Sequence, residues 1–136
     1  MTKYFLAKTD PESYSIDDLE REGETVWDGV HNAQALQAIK QMQPHDLVLI
    51  YHSMGKAAIV GLAQVSTPAR PDPKDESGKS WITNFKFLKK FETPITLNEI
   101  KTSHLFDDWS LIRQSRLSTM SVPEDFIEWL KNKGVL

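Results

Sequence analysis

The chain contains no cysteine, which excludes disulfides and thiolate metal sites. Its four histidines, His31, His45, His52 and His104, share no ligand spacing, so neither a metal nor another cofactor is expected. No apolar run approaches the roughly 18 residues that span a bilayer, so no membrane partner is expected. The first residues, Met1-Thr2-Lys3-Tyr4-Phe5-Leu6, enter a strand-like segment without the apolar core and small-residue cleavage site of a signal peptide. A cytoplasmic protein is the resulting expectation. Charge of one sign is lacking too: 16 basic and 19 acidic residues give a formal net charge of −3. Proteins that grip long duplexes by neutralising many phosphates are usually basic. The balance argues against that mode but leaves open the capture of one base in a pocket.

What is present suits one compact domain over residues 1–136: 40% hydrophobic and 26% charged residues, enough to bury a core without staples. Tyr4 to Lys8 reads as a strand, closed by the turn signal Thr9-Asp10-Pro11. Ser15-Ile16-Asp17-Asp18 has the form of an N-cap followed by acids, opening a helix to about Arg21 that Gly23 ends. Asn32 is a good N-cap for a second helix, with Leu36, Ile39 and Met42 at helical spacing and Pro44 beyond its end. Leu47 to His52 is a near-continuous apolar run, a strand covered on both faces, and Ala57 to Val65 pairs with it as a hairpin across Ser53-Met54-Gly55-Lys56. Thr67 to Ser80, with three prolines among charges, reads as a long exposed loop. Trp81 to Phe91 alternates as a long strand. Thr96 to Glu99 and Ser121 to Glu124 look like capping boxes for two further helices, with Gly134 at the end of the second. Leu105 to Ser115 is a turn or a helical stub. The fold class is therefore α+β, mostly antiparallel strands, curled, with helices on one side.

Chemistry concentrates at Val26-Trp27-Asp28-Gly29-Val30-His31-Asn32 and at Tyr51-His52-Ser53. An aromatic face, a glycine and short polar groups suit a planar ligand. Trp27 reads either as one wall of a base cage or as a core tryptophan with its indole N–H satisfied locally. Gly29 suits a positive φ or close backbone approach. Asn32 serves as a cap, as a reader of a base edge, or as both. Alternation along the strand sends Tyr51 and Ser53 to one face and His52 to the other, which opposes a Ser–His catalytic pair. His52 is read as a structural histidine before a base, and Ser53 as the better hydrogen-bonding partner for a ligand. Arg113 and Arg116, three residues apart, suit one or two phosphates or an ordinary surface salt bridge. Asp107-Asp108 and the Asp72/Asp75/Glu76 region read as solvated loop charge.

An ordered set of segments resembles the EVE domain family. It comprises Tyr14 to Leu19, Thr25 to Val30, Asp46 to Ser53, Ile59 to Val65, Pro71-Asp72-Pro73, Lys90-Phe91 with Pro94 to Leu97, and Arg116-Leu117-Ser118. The resemblance implies a PUA-like, mostly antiparallel β-barrel surrounded by helices, whose pocket holds a modified or flipped base of DNA or RNA. Carried over by position, the ligand-binding candidates are Lys8, Thr9, Trp27, Gly29, Val30, Asn32, Tyr51, His52, Ser53, Leu117 and Ser118. Arg113 and Arg116 would meet the nucleic-acid backbone. The chain departs from the family at Thr9-Asp10-Pro11, where Ser-Glu-Pro is common, and at His31-Asn32-Ala33, where Arg-Asn-Tyr is common. The second departure removes a permanent cation and an aromatic wall.

The function expected is a non-enzymatic module that reads one, modified, base. Two rivals stand beside it. One is an enzyme or binder acting on a nucleotide or small planar metabolite, for which His52, His31 and Asp28 are the nearby acid–base groups. The other is a protein-interaction module using the 67–80 loop.

Overall fold

Short polar side chains start the first two helices. In the computed structural model, which describes residues 2–136, Ser15 accepts from the Asp18 N–H while the Asp18 carboxylate accepts from the Ser15 N–H. This complete capping box opens helix α1 (Ile16–Glu22), and Gly23, at φ +81°, ends it. Asn32 likewise accepts from Gln34 and Ala35 to open α2 (Ala33–Gln41). Each such cap stabilises its helix by about 1 kcal/mol. Met1, which the signal-peptide argument includes, lies outside the described residues.

Strand β1 (Tyr4–Thr9) precedes α1, and β2 (Glu24–Trp27) follows it. After α2 come β3 (Leu47–His52), β4 (Ala58–Val65), the two-residue β5 (Arg70–Pro71) and the long β6 (Trp81–Thr96). Helices α3 (Leu97–Ser103) and α4 (Ser110–Arg113), strand β7 (Thr119–Ser121) and helix α5 (Glu124–Asn132) complete the order. The strands form one mixed sheet, β2-β6-β4-β3-β1-β7 with β5 added beside β6, curled into a half-barrel with the helices packed around it. The α+β expectation is thus met.

One pairing is parallel: β1 lies beside β3, with Lys8 opposite Tyr51 and Thr9 opposite His52. The crossover through α1, β2 and α2 makes this possible, since a parallel pair cannot be joined by a tight turn. It brings the ends of two strands, Thr9 and His52, that are 43 residues apart in sequence to the same rim. The curl comes from β6, whose register against β4 shifts twice, between Ile59 and Gly61 and between Leu62 and Ala63. Such bulges bend a strand and sharpen its twist. Gly61 lies at one of them, and a side chain there would meet Ile16 and the Lys89 carbonyl at 2.6 Å. Glycine is what lets α1 sit on the sheet.

The strand expected over Trp81–Phe91 therefore runs five residues further, and β2 was not expected at all. Two details of the C-terminal half differ as well. Helix α5 is capped at Pro123 without a side-chain hydrogen bond, so Ser121 to Glu124 is not a capping box; Ser121 remains paired in β7, opposite Phe5. Thr96 does accept from the Glu99 N–H, which is the forward half of the box expected there. The 67–80 segment is also more ordered than an exposed loop needs to be. Asp75 accepts from the Ser77 hydroxyl and from the Ser80, Ser77 and Lys79 amides; the Ser77 hydroxyl first and the Ser80 amide second hold its carboxyl well below the usual range, and Thr67 ties to Arg70, Thr83 and Asn84.

The core covers both faces of the sheet: Phe5 and Leu6, consecutive in β1 and so directed to opposite faces, are both essentially sealed from water, as are Ile39, Leu49, Ile59, Phe85 and Phe126. Phe126 and Trp129 of α5 form an aromatic cluster with Phe106 and Trp109. The Asp46 carboxylate, also buried, accepts from the Lys3 and Gln43 amides and fixes the entry to β3.

Candidate functional site

Trp27 ends β2 with its ring stacked on Phe85, at a centroid distance of 4.8 Å, and edge-on to Tyr14 at 6.1 Å. Stacking of this kind is worth about 0.5–1.5 kcal/mol beyond burial. The residue is 8% exposed, so it is a core side chain in large part. Its indole N–H, however, finds no acceptor among the described residues, while no sealed side-chain donor there lacks a partner. The N–H therefore reaches accessible space. A buried tryptophan usually satisfies this group internally. Here Trp27 lines a cleft of about 460 Å³ together with Thr9, Tyr14, Thr25, Val26 and Asp28.

The walls of that cleft are braced. Thr9 donates its hydroxyl to the Tyr14 carbonyl at 2.7 Å, and Tyr14 donates its own to Glu22 at 2.7 Å. Burial first, and the Glu22 carboxylate second, push the Tyr14 phenol up to about 12, with a bond to Thr25 opposing them. The ring stays neutral and can present only an un-ionised edge to a ligand.

A second cleft, of about 310 Å³, is lined by Asn32, Arg113, Gln114, Ser115, Arg116 and Leu117. The Asn32 side-chain oxygen is consumed by its two capping bonds. That fixes the orientation of the amide and leaves Nδ2, with two donors, for anything else. Arg113 lies 3.9 Å from Asp108, both well exposed, and Arg116 forms no ion pair among the described residues. The chemistry on offer is donation and positive charge. Leu117 supplies a buried apolar floor.

Lys8 and Thr9, consecutive at the end of β1, connect the two. Thr9 faces the first cleft, whereas Lys8 donates through Nζ to Ser115 on the wall of the second, at 3.0 Å. The same Nζ lies 5.4 Å above the Tyr51 ring. Burial pulls the Lys8 ammonium below its ordinary value and pushes the Tyr51 phenol above its own. The Lys8 amide is bonded to the Ser118 carbonyl at 2.8 Å, which draws Ser118 onto the same rim. Ser53 binds the Thr9 carbonyl through both its N–H and its hydroxyl, so it too sits at the end of β1.

The expected residues thus divide. Trp27 and Thr9 form one cleft, Asn32, Arg113, Arg116 and Leu117 the other, and Lys8, Tyr51, Ser53 and Ser118 lie between them. Gly29 has the positive φ expected of it, +75°, and turns the chain from β2 toward Asn32. Val30 is buried and supports that turn from beneath. His52 is engaged elsewhere: its Nε2 accepts the Ile16 N–H at 3.0 Å, and burial holds its pKa below the usual value. His31 is exposed and 3.3 Å from the Ser80 hydroxyl. Tyr14, Thr25, Gln114 and Ser115 were not singled out beforehand. Tyr14 and Thr25 carried a signal, since each opens one of the segments shared with the family; Gln114 and Ser115 carried none.

Comparison with known proteins agrees with this architecture. The family model described as the EVE domain matches residues 3–133. Thymocyte nuclear protein 1 of Rattus norvegicus is 31% identical over 130 residues, covering 76% of this chain and 58% of that protein. The chain thus spans rather more than half the length of the curated relatives it matches. A hypothetical protein from Leishmania major superposes with a TM-score of 0.85 at 30% identity, covering 98% of this chain and 97% of its own. The human THYN1 protein, solved in complex with 5-methylcytosine-containing DNA, shares the fold with a TM-score of 0.84 at 24% identity, covering 95% of each chain.

Proposed function

This chain belongs to the EVE domain family, and we propose that it is a non-enzymatic, cytoplasmic reader that takes a single modified nucleobase of DNA or RNA into the Trp27 cleft. The observation that carries the reading is the unpartnered indole N–H of an otherwise buried Trp27 at a cleft large enough for a base. Extruding a base costs a few kcal/mol, which contacts in the pocket must recover. Aromatic edges from Trp27 and Tyr14, the apolar Val26 and the polar Thr9, Thr25 and Asp28 offer both packing and hydrogen bonds.

The adjoining donor-rich cleft supports a polymer over a free metabolite. Asn32 Nδ2, Arg113 and Arg116 together suit the acceptor oxygens of a phosphate beside the captured base. In this reading Lys8, Tyr51, Ser53, Leu117 and Ser118 shape the ridge between base and backbone, while Gly29, Val30 and His52 hold it in place. That the human THYN1 protein was solved with methylated DNA favours DNA as the first partner to test. The engagement of His52 Nε2 by Ile16 favours binding over acid–base catalysis, because the ring's acceptor is already in use. A cysteine-free chain suits a reducing compartment.

The test is a titration by fluorescence anisotropy with oligonucleotides that contain 5-methylcytosine or unmodified cytosine, single-stranded and duplex, and their RNA counterparts. Saturable one-to-one binding that prefers a modified strand is expected. Absence of saturable binding to all of them, or turnover of a nucleotide lost in His52→Ala, would overturn the reading.

A further inference from the structure

Among the described residues only four large hydrophobic side chains are exposed: Val26, Met54, Leu88 and Leu105. Two of them border the candidate site. Val26, at 44% exposure, lines the Trp27 cleft itself. Met54, at 60%, follows Ser53, and Ser53 is bonded twice to the carbonyl of Thr9, another wall of that cleft. Met54 is thus carried past the end of β1, at the tip of the turn between β3 and β4.

The turn holds it there firmly. Ser53 anchors one end, and on the other the Ala57 N–H returns to the Gly55 carbonyl while the Ala57 carbonyl accepts from Leu97. Gly55 has a φ of +65°, a conformation that glycine adopts without strain. Lys56, next along, is exposed. An unbranched apolar side chain projecting into water gives the fold nothing, because it touches too little to bury. It does suit a gap between base pairs. Removing one base from a stack leaves a slot about one base thick, and apolar side chains, methionine among them, fill such steps in bent or kinked duplexes. A cation two residues away would meet the phosphate flanking the gap.

From this arrangement we infer that Met54 is a wedge that occupies the space vacated in a duplex when one base enters the Trp27 cleft, a role that rests on the reading of that cleft given above. The wedge contributes only where a stack is interrupted. It therefore separates duplex from single-stranded binding, which a general surface contact does not.

The test compares Met54→Ala with the intact protein on a 5-methylcytosine oligonucleotide, single-stranded and duplex, with 2-aminopurine beside the modified base. Leu105→Ala, an equally exposed residue on another part of the fold, is the control. Met54→Ala should weaken duplex binding by about tenfold or more, reduce the 2-aminopurine signal, and leave single-strand affinity within about twofold. Leu105→Ala should change none of these. Equal losses on both substrates, or no loss on the duplex, would overturn the wedge and leave the reader intact. Binding by the intact protein to the single strand alone would do the same. No binding to either substrate would remove the reader and the wedge together.

Discussion

Ile16 donates its backbone N–H to Nε2 of His52 across 3.0 Å, so the first turn of α1 hangs on a histidine at the end of β3. The bond requires that nitrogen to be an acceptor, and it places the ring proton on Nδ1. It also joins α1, whose Glu22 accepts from Tyr14 in the brace of the Trp27 cleft, to the strand that carries Tyr51 and leads into Ser53.

Stability should depend on pH through this pair. Burial is the chief cause of the lowered His52 pKa; Asp17 nearby opposes it and Lys90 adds to it. With the folded pKa below the unfolded value of about 6.5, the contribution is complete above that value and is lost as pH falls through the folded pKa. Thermal unfolding followed from pH 7.5 to 5 should show a falling Tm, and His52→Gln should flatten that dependence. A Tm equally steep in both proteins over this range would contradict the assignment.

Asn32 is predicted to do two separable jobs. Its oxygen caps α2, which leaves Nδ2 as its side-chain donor at the cationic cleft that Asn32 lines. Asn32→Asp retains the cap and places a negative charge at a helix N-terminus, so the Tm should hold or rise. Oligonucleotide binding should nevertheless fall steeply, because a donor beside a phosphate becomes an anion. Asn32→Ser keeps a capping oxygen without the charge and should show a smaller loss. Binding that survives in both variants would confine Asn32 to its capping role.

Arg113 and Arg116 should be visible in the salt dependence. If both meet phosphates, the slope of log affinity against log salt should fall by about one for each arginine replaced by glutamine. An unchanged slope in Arg113→Gln/Arg116→Gln would assign them to ordinary surface charge.

Gly61→Ala should destabilise the fold by about 1–3 kcal/mol, as overpacking of a filled core generally does. The added methyl group meets both Ile16 Cδ1 and the Lys89 carbonyl at 2.6 Å. Shortening the side chain with Ile16→Val relieves only the first clash, so partial rescue of the denaturation midpoint is expected. Full rescue would place the constraint in the side chain alone.

These tests rest on features of unequal legibility. Ser15 with Asp18, Asn32 as a cap, the turn at Gly29 and the apolar run of β3 could be read directly, because each is decided by residues within one turn or one strand. Strand β2 could not. It has four residues, lies at the sheet edge, and leaves Val26 exposed where alternation would be informative. The parallel pairing of β1 with β3 is equally silent in sequence, since register between distant strands is set by packing. That pairing nevertheless decides the site: it places Lys8 opposite Tyr51 and Thr9 opposite His52. The order of motifs along the chain identified the family and the candidate residues as a set. It gave no hint that they would separate into an aromatic cleft and a cationic one, with Lys8 and Thr9 between.

The most direct measurement is the affinity of the intact protein and of Trp27→Phe for one 5-methylcytosine oligonucleotide, with Tm recorded for both. Phenylalanine preserves an aromatic ring against Phe85 and removes only the indole N–H and part of the ring. If that N–H meets the captured base, affinity should drop by about three- to tenfold, the worth of one hydrogen bond, while the protein remains folded. Tight binding undiminished in Trp27→Phe, or none in either protein, would contradict the account.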